Sequence, residues 1–470
     1  MKNLIRISAA AVFFGGAMMS AAHAGAAPDK GDTAWMLVST ILVLLMIVPG
    51  LALFYGGLVR VKNMVSMLSQ IAAVTVIGVV TWALWGYSLA FTDGGAHDPF
   101  VGGFSRLFLA GVTSESVAAT FSTGVYIPEF AFIAFQGTFA CITAALVLGG
   151  VAERMKFSAV VLFAIFWPLV VYYPMAHMVW WWPGPDAIAA DPEAPVRSGL
   201  LWSFGALDFA GGTVVHINSG AAALVGALIL GARHGYKRDL MLPHSLTLTT
   251  VGAGLLWVGW FGFNAGSNLE ANGYAALAIV NTFIAAAAAA FSWMLAEWAT
   301  KQKPSLLGLA SGLVAGLVAV TPAAGFAGPG GALVLGLVVS PICLVFCSTI
   351  KHALGYDDSL DAFGIHGVGG IVGAIGTAIV VNPALGGAGV VDYTTCALDG
   401  DISTCDVAAY ALGAQLIAQI KAVAVTLVWS GIGSAIVFSG IKLLTGGRVP
   451  KEIEVEGLDL REHGEAAYHA

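Results

Sequence analysis

The amino-acid sequence predicts an all-α polytopic membrane protein, and its composition, the length of its apolar runs and the placement of its charges all indicate this fold class. Hydrophobic residues make up 58% of the 470 residues, charged residues make up only 10%, and the mean hydropathy is +0.86. A water-soluble domain of this length carries far more charge. Apolar runs of about 20 residues, the length that crosses the hydrocarbon core of a bilayer, recur along the chain.

The N-terminus has the pattern of a secretory signal peptide. Lys2 and Arg6 precede a short apolar run, and Ala22-His23-Ala24 then matches an A-x-A cleavage site. We therefore expect removal of this segment. The sequence divides into three parts: a signal peptide, residues 1–24; a transmembrane domain, residues 25–445; and a polar C-terminal tail, residues 446–470.

Eleven apolar stretches follow the signal peptide, and each predicts one transmembrane helix. They occupy residues 34–58, 66–91, 125–151, 158–182, 208–232, 243–267, 273–300, 304–321, 328–350, 363–381 and 408–444. The first ten form two sets of five, and an odd number of spans per set reverses the second set in the membrane. The sequence therefore predicts two inverted five-helix repeats plus a last long helix.

The distribution of charged residues predicts the orientation of the chain in the membrane. Most lysines and arginines lie in alternate loops and in the tail, whereas the opposite segments hold only Lys30, Arg106 and Arg197. The positive-inside rule then places the N-terminus in the periplasm and the C-terminus in the cytoplasm, in a multi-pass protein of the inner membrane. The formal net charge of −7 carries no nucleic-acid meaning, and no nucleic-acid partner is predicted.

The five cysteines fall into two groups. Cys141, Cys343 and Cys347 lie in predicted spans, where they are expected to pack as small apolar residues. Cys396 and Cys405 share one loop on the periplasmic side, an oxidising compartment. A disulfide between them requires Cα atoms within about 7 Å.

His216 and His366 are the candidate functional residues of the apolar spans. An ionisable side chain at membrane depth costs roughly 2.5 to 3.5 kcal/mol, so its presence needs a reason. His216 lies in the fifth span and His366 in the tenth, which are equivalent positions in inverted repeats. We expect the two imidazoles to meet near the membrane centre on a substrate path. A core histidine bonded to a backbone carbonyl is the alternative for each.

An aspartate leads each histidine segment. Asp208 precedes His216 by eight residues, about 12 Å along a helix, so contact between them is not expected. We interpret Asp208 and Asp361 as helix caps or buried polar contacts between helices. No third histidine, cysteine or carboxylate lies at ligand spacing in these spans, and neither a metal nor a cofactor is predicted.

Several segments closely resemble the ammonium transporter (Amt) family, bacterial type. They are IPEFAFIAFQGTFACITAALVLGGVAERMKFSA, YYPMAHMVWWW, LDFAGGTVVHINSGAAALVGALILG, WVGWFGFNAGSN and LDAFGIHGVGGIVGAIGT. The resemblance covers nearly the whole mature chain and implies a homotrimer with a narrow apolar pore in each subunit. It also implies roles for seven residues: Trp180, Phe139 and Ser267 recruit ammonium, Asp208 supports that site, Phe139 and Phe263 gate the pore, and His216 and His366 line it.

The chemistry of these residue types fits ammonium. Aromatic faces attract a cation by about 0.5 to 2 kcal/mol, and a serine oxygen accepts an N–H bond that potassium cannot donate. An unpaired cation is too costly in an apolar pore, so we expect deprotonation at the outer site, with ammonia and the proton crossing separately.

Each residue also has a structural alternative. Trp180 fits an aromatic belt, Phe139 and Phe263 fit ordinary packing, and Ser267 fits a bond to its own helix.

The tail, the loop after Trp180 and one lysine in the last span lead to further predictions. The tail segment GLDLREHGEAAY resembles the family's regulatory C-terminus, which implies contact with neighbouring subunits and with a PII-class signal protein that plugs the pore; a solvated tail is the alternative. The loop between Trp180 and Asp208 is long for a bacterial member of the family. Lys421 in the last span is assigned to a subunit contact or to snorkelling towards the surface.

Other functions lack their motifs. The sequence has no TVGYG filter, no Walker motif, no G-x-S-x-G elbow and no H-E-x-x-H helix, so a potassium channel, an ATP-driven pump and an intramembrane enzyme are all disfavoured. Two alternatives to a transporter in nitrogen metabolism stay open. One is an ammonium sensor with little flux, and the other is a Rhesus-type ammonia gas channel.

Overall fold

A computed structural model describes residues 27–397 and 402–468, so the predicted signal peptide lies outside the described residues. Within these residues, eleven helices are long and apolar enough to cross a membrane, and the prediction of eleven spans is confirmed. In order, spans one to eleven are Lys30–Leu58, Val61–Phe91, Glu129–Val151, Phe157–Ala190, Gly212–Leu230, Leu246–Gly266, Gly273–Lys301, Leu306–Ala323, Pro329–Leu354, Phe363–Val380 and Leu412–Thr445. The chain is a multi-pass membrane protein.

Shorter elements connect or interrupt the spans. Span four breaks after Trp180 and ends in the separate helix Pro185–Ala190. The other short helices are Leu200–Ser203 and Lys451–Glu456, and two small hairpins pair Val117–Ala119 with Tyr126–Pro128 and Val391–Asp392 with Asp406–Val407. Wider π-helical turns occur at Met46–Leu51, Trp82–Gly86, Pro168–Tyr172, Gly212–Ile217, Phe346–Ile350, Phe363–Gly367 and Asp459–His463.

Polar side chains fix where several spans begin. Ser245, Asn272 and Ser305 each accept a hydrogen bond from a backbone N–H in the first turn of the following helix. These bonds satisfy donors that have no partner inside the helix. Span eleven ends at Thr445 and is followed by Gly446, whose φ of 81° is a conformation that glycine adopts at little cost. Its 34 residues rise about 51 Å at 1.5 Å each, so it extends beyond the bilayer core or crosses it at a tilt.

Burial separates central from peripheral spans. Span three is 89% buried over its most apolar window and span five is 78% buried, whereas span nine is only 28% buried. The peripheral spans expose leucine, valine and phenylalanine side chains, as bilayer lipid or a neighbouring subunit requires. Spans three and five therefore lie in the core of the molecule, and span nine lies at its periphery.

The face opposite the tail carries a covalently closed loop, and we call it the disulfide face. Cys396 and Cys405 form the disulfide there, as the sequence allowed. The long loop after Trp180 folds over the same face. On this face the Lys421 ammonium lies 5.4 Å from the ring centroid of Phe204, so a cation–π contact with the loop accounts for this lysine.

The other face carries the tail, and we call it the tail face. The Asp459 carboxylate accepts hydrogen bonds from the backbone N–H groups of Val65 (3.0 Å) and Ser66 (2.8 Å) at the start of span two. Glu462 accepts one from the N–H of Phe157 (2.9 Å), the first residue of span four. The tail is therefore attached to its own chain at these residues and caps two of the spans, although many of its other side chains are exposed.

A buried charge network lies beneath the tail. The Arg233 guanidinium bonds both the Glu153 carboxylate (2.7 Å) and the Asp357 carboxylate (2.8 Å), and Glu153 also accepts bonds from Arg60 (3.1 Å) and Asn63 (2.9 Å). Burial alone would raise the pKa of Glu153, but Arg233 and Arg60 hold it at about 2. The network ties together loops from both halves of the chain.

Replacing Glu153 with glutamine is expected to lower the free energy of unfolding at neutral pH by about 3 kcal/mol, since the folded carboxyl titrates near pH 2 and an unfolded one near 4.5. Because the folded pKa is the lower one, this stability is present above pH 4.5 and is lost as the pH falls through about 2. Unfolding in detergent at pH 6, 4 and 3 measures it. Glu456→Gln, at an exposed ion pair with Arg461, is the control. Equal acid dependence in Glu153→Gln and in the native protein would contradict the assignment.

Candidate functional site

The two histidines meet at the centre of the molecule. The Nδ1 atoms of His216 and His366 are 3.3 Å apart, and the nearly parallel rings have centroids 5.3 Å apart. The side chains are buried, with 1% and 4% of their surface exposed. Only one of the two facing nitrogens can carry the bonding proton in a neutral pair, and two positive rings at this distance would repel each other. The pair therefore shares one proton between two nitrogens.

Glycines allow the two helices that carry the histidines to approach. A Cβ on Gly220 would lie 2.2 Å from the backbone nitrogen of Gly367 and 2.4 Å from its Cα. A Cβ on Gly370 would lie 3.1 Å from the Cβ of His216. Spans five and ten thus cross with their backbones in contact, which is why histidines 150 residues apart in sequence can touch.

Asp208 caps the helix that carries His216. Its carboxylate accepts bonds from the backbone N–H groups of Gly211 (2.8 Å), Gly212 (2.5 Å), Thr213 (2.8 Å) and Val214 (3.2 Å), and also from the Thr213 hydroxyl. The first turn is π-helical, and the N–H of His216 bonds the carbonyl of Gly211 five residues earlier. Asp208 therefore has the capping position that the sequence indicated.

In the second half the cap is Asp358 rather than Asp361, and for Asp361 the other expectation, a polar contact between helices, matches the structure. The Asp358 carboxylate accepts bonds from the N–H groups of Ala362 (3.0 Å), Phe363 (2.8 Å) and Gly364 (3.4 Å). Asp361 instead pairs with Lys351. Burial and the neighbouring Asp361 carboxylate raise the pKa of Asp358 to about 6. Asp358 lies eight residues before His366, the same spacing as in the first half, and this repeated interval could have identified it.

Two phenylalanine rings separate the histidines from the disulfide face. Phe139 of span three and Phe263 of span six are stacked, with centroids 4.1 Å apart and planes 17° apart. Phe263 lies 6.0 Å from the His216 ring, and Trp180 lies 5.9 Å from the Phe139 ring in an edge contact. The order from the disulfide face inward is therefore tryptophan, stacked rings, histidine pair. Packing alone would not require this alignment.

Ser267 lies at the mouth of this path, at the end of span six. Its hydroxyl donates to the carbonyl of Phe263 (2.8 Å), the bond to its own helix that sequence considerations allowed. The donation uses the only proton of the hydroxyl and leaves its oxygen free to accept. A group with N–H donors can still bind there.

The path continues from the rings past the histidines. A narrow apolar cavity of about 10 Å³, enough for roughly one water molecule, is lined by Phe263 and by both histidines. A wider cavity of about 300 Å³ opens to the tail face. His366, Phe54 and Val314 line both cavities, so the two are consecutive parts of one route.

Two further residues of the site were not singled out in the sequence. The Trp260 ring stacks on His216 with centroids 5.4 Å apart, and its N–H donates to the Thr321 hydroxyl (2.9 Å), which fixes one face of the imidazole. Lys351 lines the wide cavity together with His366. Tryptophans are common in membrane spans, and the lysine lies at the end of one. A single sequence therefore does not distinguish either residue as part of a functional site.

Comparisons with known proteins agree with this arrangement. A sequence profile described as the Ammonium Transporter Family matches residues 34–468. An "Ammonium transporter" of Aquifex aeolicus (strain VF5) is 44% identical over 441 residues, which cover 94% of this chain and 94% of the relative. An "Ammonium transporter" of Bacillus subtilis (strain 168) is 40% identical over 444 residues, covering 94% of this chain and 99% of the relative.

Solved structures give the same result. A structure described as "Sensor Amt Protein" has a TM-score of 0.77 at 26% identity and covers 92% of this chain and 98% of that chain. The crystal structure of Saccharomyces cerevisiae Mep2 has a TM-score of 0.76 at 32% identity and covers 90% of this chain and 91% of that chain. These similarities extend over both halves of the fold.

Proposed function

The chain belongs to the ammonium transporter family, and we propose that it recruits ammonium at Trp180, removes a proton there, and conducts ammonia and the proton separately past His216 and His366. One observation carries the proposal. The stacked rings of Phe139 and Phe263 stand between the aromatic mouth and the histidine pair, on a route with room for about one water molecule. A hydrated cation does not fit such a route.

Recruitment is assigned to the mouth on the disulfide face. The half-buried Trp180 ring offers a π face to a cation, an attraction of about 0.5 to 2 kcal/mol. The oxygen of Ser267 accepts one N–H of the ion. Asp208 supports the site through its backbone, since its carbonyl accepts the Trp180 indole N–H at 2.9 Å and so sets the direction of that ring.

Proton removal follows from the cost of entering the pore. Moving an unpaired cation into apolar surroundings costs several kcal/mol even after relaxation, which exceeds what the mouth supplies. Ammonia is neutral and crosses cheaply. The imidazole pair offers one shared proton and two outward nitrogens, of which Nε2 of His216 has no hydrogen-bond partner within the described residues. In the tautomer in which Nδ1 of His216 donates the shared proton, Nε2 of the same ring carries no proton and can accept one.

The cellular setting is part of the proposal. The charge distribution supports an inner-membrane protein with a periplasmic N-terminus and a cytoplasmic tail, which makes the disulfide face the entrance. A homotrimer is part of the proposal, and the exposed apolar surfaces of the peripheral spans provide area for its subunit contacts. The tail, residues 446–468, lies on the face that a cytoplasmic PII-class signal protein would reach.

A sensor with little flux is the second candidate. It is favoured by one comparison, the structure described as "Sensor Amt Protein" at 26% identity. A Rhesus-type gas channel would carry ammonia without moving charge. Neither alternative requires the histidine pair to pass protons, and this is where the three functions differ.

Purified protein in liposomes distinguishes these functions. We expect ammonium and methylammonium to produce inward current and potassium to produce none, because only the first two carry an N–H proton that can be removed. Protein-free liposomes are the control. Ammonia flux without current would indicate a gas channel, and saturable ammonium binding without flux would indicate a sensor. Equal currents for all three ions would contradict the proposed function.

A further inference from the structure

The two ends of the path are built on the same turn but with different partners. In each half a capping aspartate precedes the histidine by eight residues, and its backbone carbonyl accepts a bond from the preceding span. The Asp208 carbonyl accepts the Trp180 indole N–H (2.9 Å), whereas the Asp358 carbonyl accepts the Lys351 ammonium (3.3 Å). Trp180 belongs to span four and Lys351 to span nine, which are equivalent spans of the inverted repeats.

Lys351 carries the same chemical group as the proposed substrate. Its side chain ends in a primary ammonium, which here is bound by the Asp361 carboxylate and the Asp358 carbonyl. This ion pair and His366 line the same cavity of about 300 Å³. A carboxylate and a carbonyl beside the end of the pore are the acceptors that a free ammonium ion would select.

The other cations of this cavity do not have this arrangement. The Arg233 guanidinium is held by Glu153 and Asp357 in the network beneath the tail. Lys237 donates to the carbonyl of His352 (2.6 Å) and contacts no carboxylate within the described residues. Lys351 alone among these three combines a capping carbonyl with a carboxylate on the pore side.

We propose that Lys351 is a resident ammonium group that occupies the acceptors at the tail-face end of the pore, so that ammonium formed on that side is not held there. The inference rests on the proposed function. A tethered group competes at an effective concentration on the order of millimolar or above, so free ammonium displaces it poorly. At the entrance the aromatic ring of Trp180 binds free ammonium, whereas at the exit the Lys351 side chain already occupies the acceptors. Ammonium formed at the exit therefore diffuses away, and the exit stays open to the next ammonia molecule.

Tail-side inhibition of uptake tests this inference. Right-side-out membrane vesicles, in which the tail is shown to be luminal by its protection from protease, are loaded with increasing unlabelled ammonium, and the initial uptake of labelled methylammonium is measured. In Lys351→Met the vacated acceptors bind luminal ammonium, and we expect half-inhibition at a roughly tenfold lower concentration. Lys237→Met, which removes the other lysine of the cavity, should match the unmodified protein.

The double variant Lys351→Met/Asp361→Asn separates occupancy from simple loss of positive charge. It lacks the lysine but also lacks the carboxylate that would hold ammonium, so its inhibition should return to the level of the unmodified protein. Equal inhibition in Lys351→Met and the unmodified protein would overturn the inference, as would strong inhibition in the double variant. Absence of uptake by the unmodified protein would instead count against the proposed function.

Discussion

Replacing His216 with alanine is expected to lower the ammonium-driven current by roughly a hundredfold or more, the usual size of a lost proton-transfer group. The imidazole that remains, His366, has no partner at 3.3 Å and cannot pass the shared proton. The mouth is unchanged, because Trp180 and Ser267 lie beyond the stacked rings. Current recorded from proteoliposomes, together with ammonium binding to the same protein, measures the two effects separately.

The reciprocal variant and the double variant sharpen this prediction. His366→Ala should lose a similar share of the current, and the double variant should lose little more, because a proton relay fails when either member is absent. His177→Gln is the matched control. That buried histidine lies in span four, and its ring nitrogens contact the carbonyls of Ala90 and Asp98 rather than the path. Full ammonium current in His216→Ala would show that the proton takes another route.

The membrane fold could be predicted because hydropathy and charge act over whole segments. Every predicted span overlaps an observed one, although span five begins at Gly212 rather than at residue 208. The four-residue difference is the loop that Asp208 closes with its carboxylate. The meeting of the histidines could also be predicted, because inverted repeats impose equivalent positions and glycines permit a close crossing.

The assignment of the second cap failed because the loop contains several aspartates. The segment DDSLD offers Asp357, Asp358 and Asp361, and composition alone does not separate them. Each has a distinct partner: Asp357 binds Arg233, Asp358 caps span ten and Asp361 binds Lys351. Two of these partners lie on other elements of the chain. Only the repeated interval of eight residues would have distinguished Asp358 from the other two.

The position of the tail could not be predicted for a related reason. Asp459 caps the start of span two across 393 residues, and Glu462 caps span four across 305 residues. Asp459 and Glu462 take the place of local caps, because the N-cap residues of these two helices, Asn63 and Lys156, make no side-chain cap bond. The polar sequence of the tail, considered alone, is typical of a solvated segment. Its hydrogen-bond partners are backbone N–H groups in distant parts of the chain, so the tail sequence does not reveal them.

Replacing Asp208 with alanine is expected to lower the free energy of unfolding by roughly 4 kcal/mol or more and to abolish transport. Four backbone N–H groups and one hydroxyl lose their acceptor at a site that is only 8% exposed, and each buried unsatisfied group costs about 1 to 3 kcal/mol. The π-helical turn that positions His216 begins at these groups. Thermal unfolding in detergent and current from proteoliposomes measure the two losses.

Comparison with Asp358→Ala separates support from direct binding of ammonium. Asp358 performs the same capping in the other half but is distant from Trp180, so a purely structural role predicts similar destabilisation in both variants. Asp208→Asn should be intermediate, since one amide oxygen replaces two carboxylate oxygens that together accept five bonds. An Asp208→Ala protein that unfolds at the normal temperature yet no longer binds ammonium would mean that this carboxylate attracts the ion itself. In that case the entrance would use charge as well as its aromatic ring.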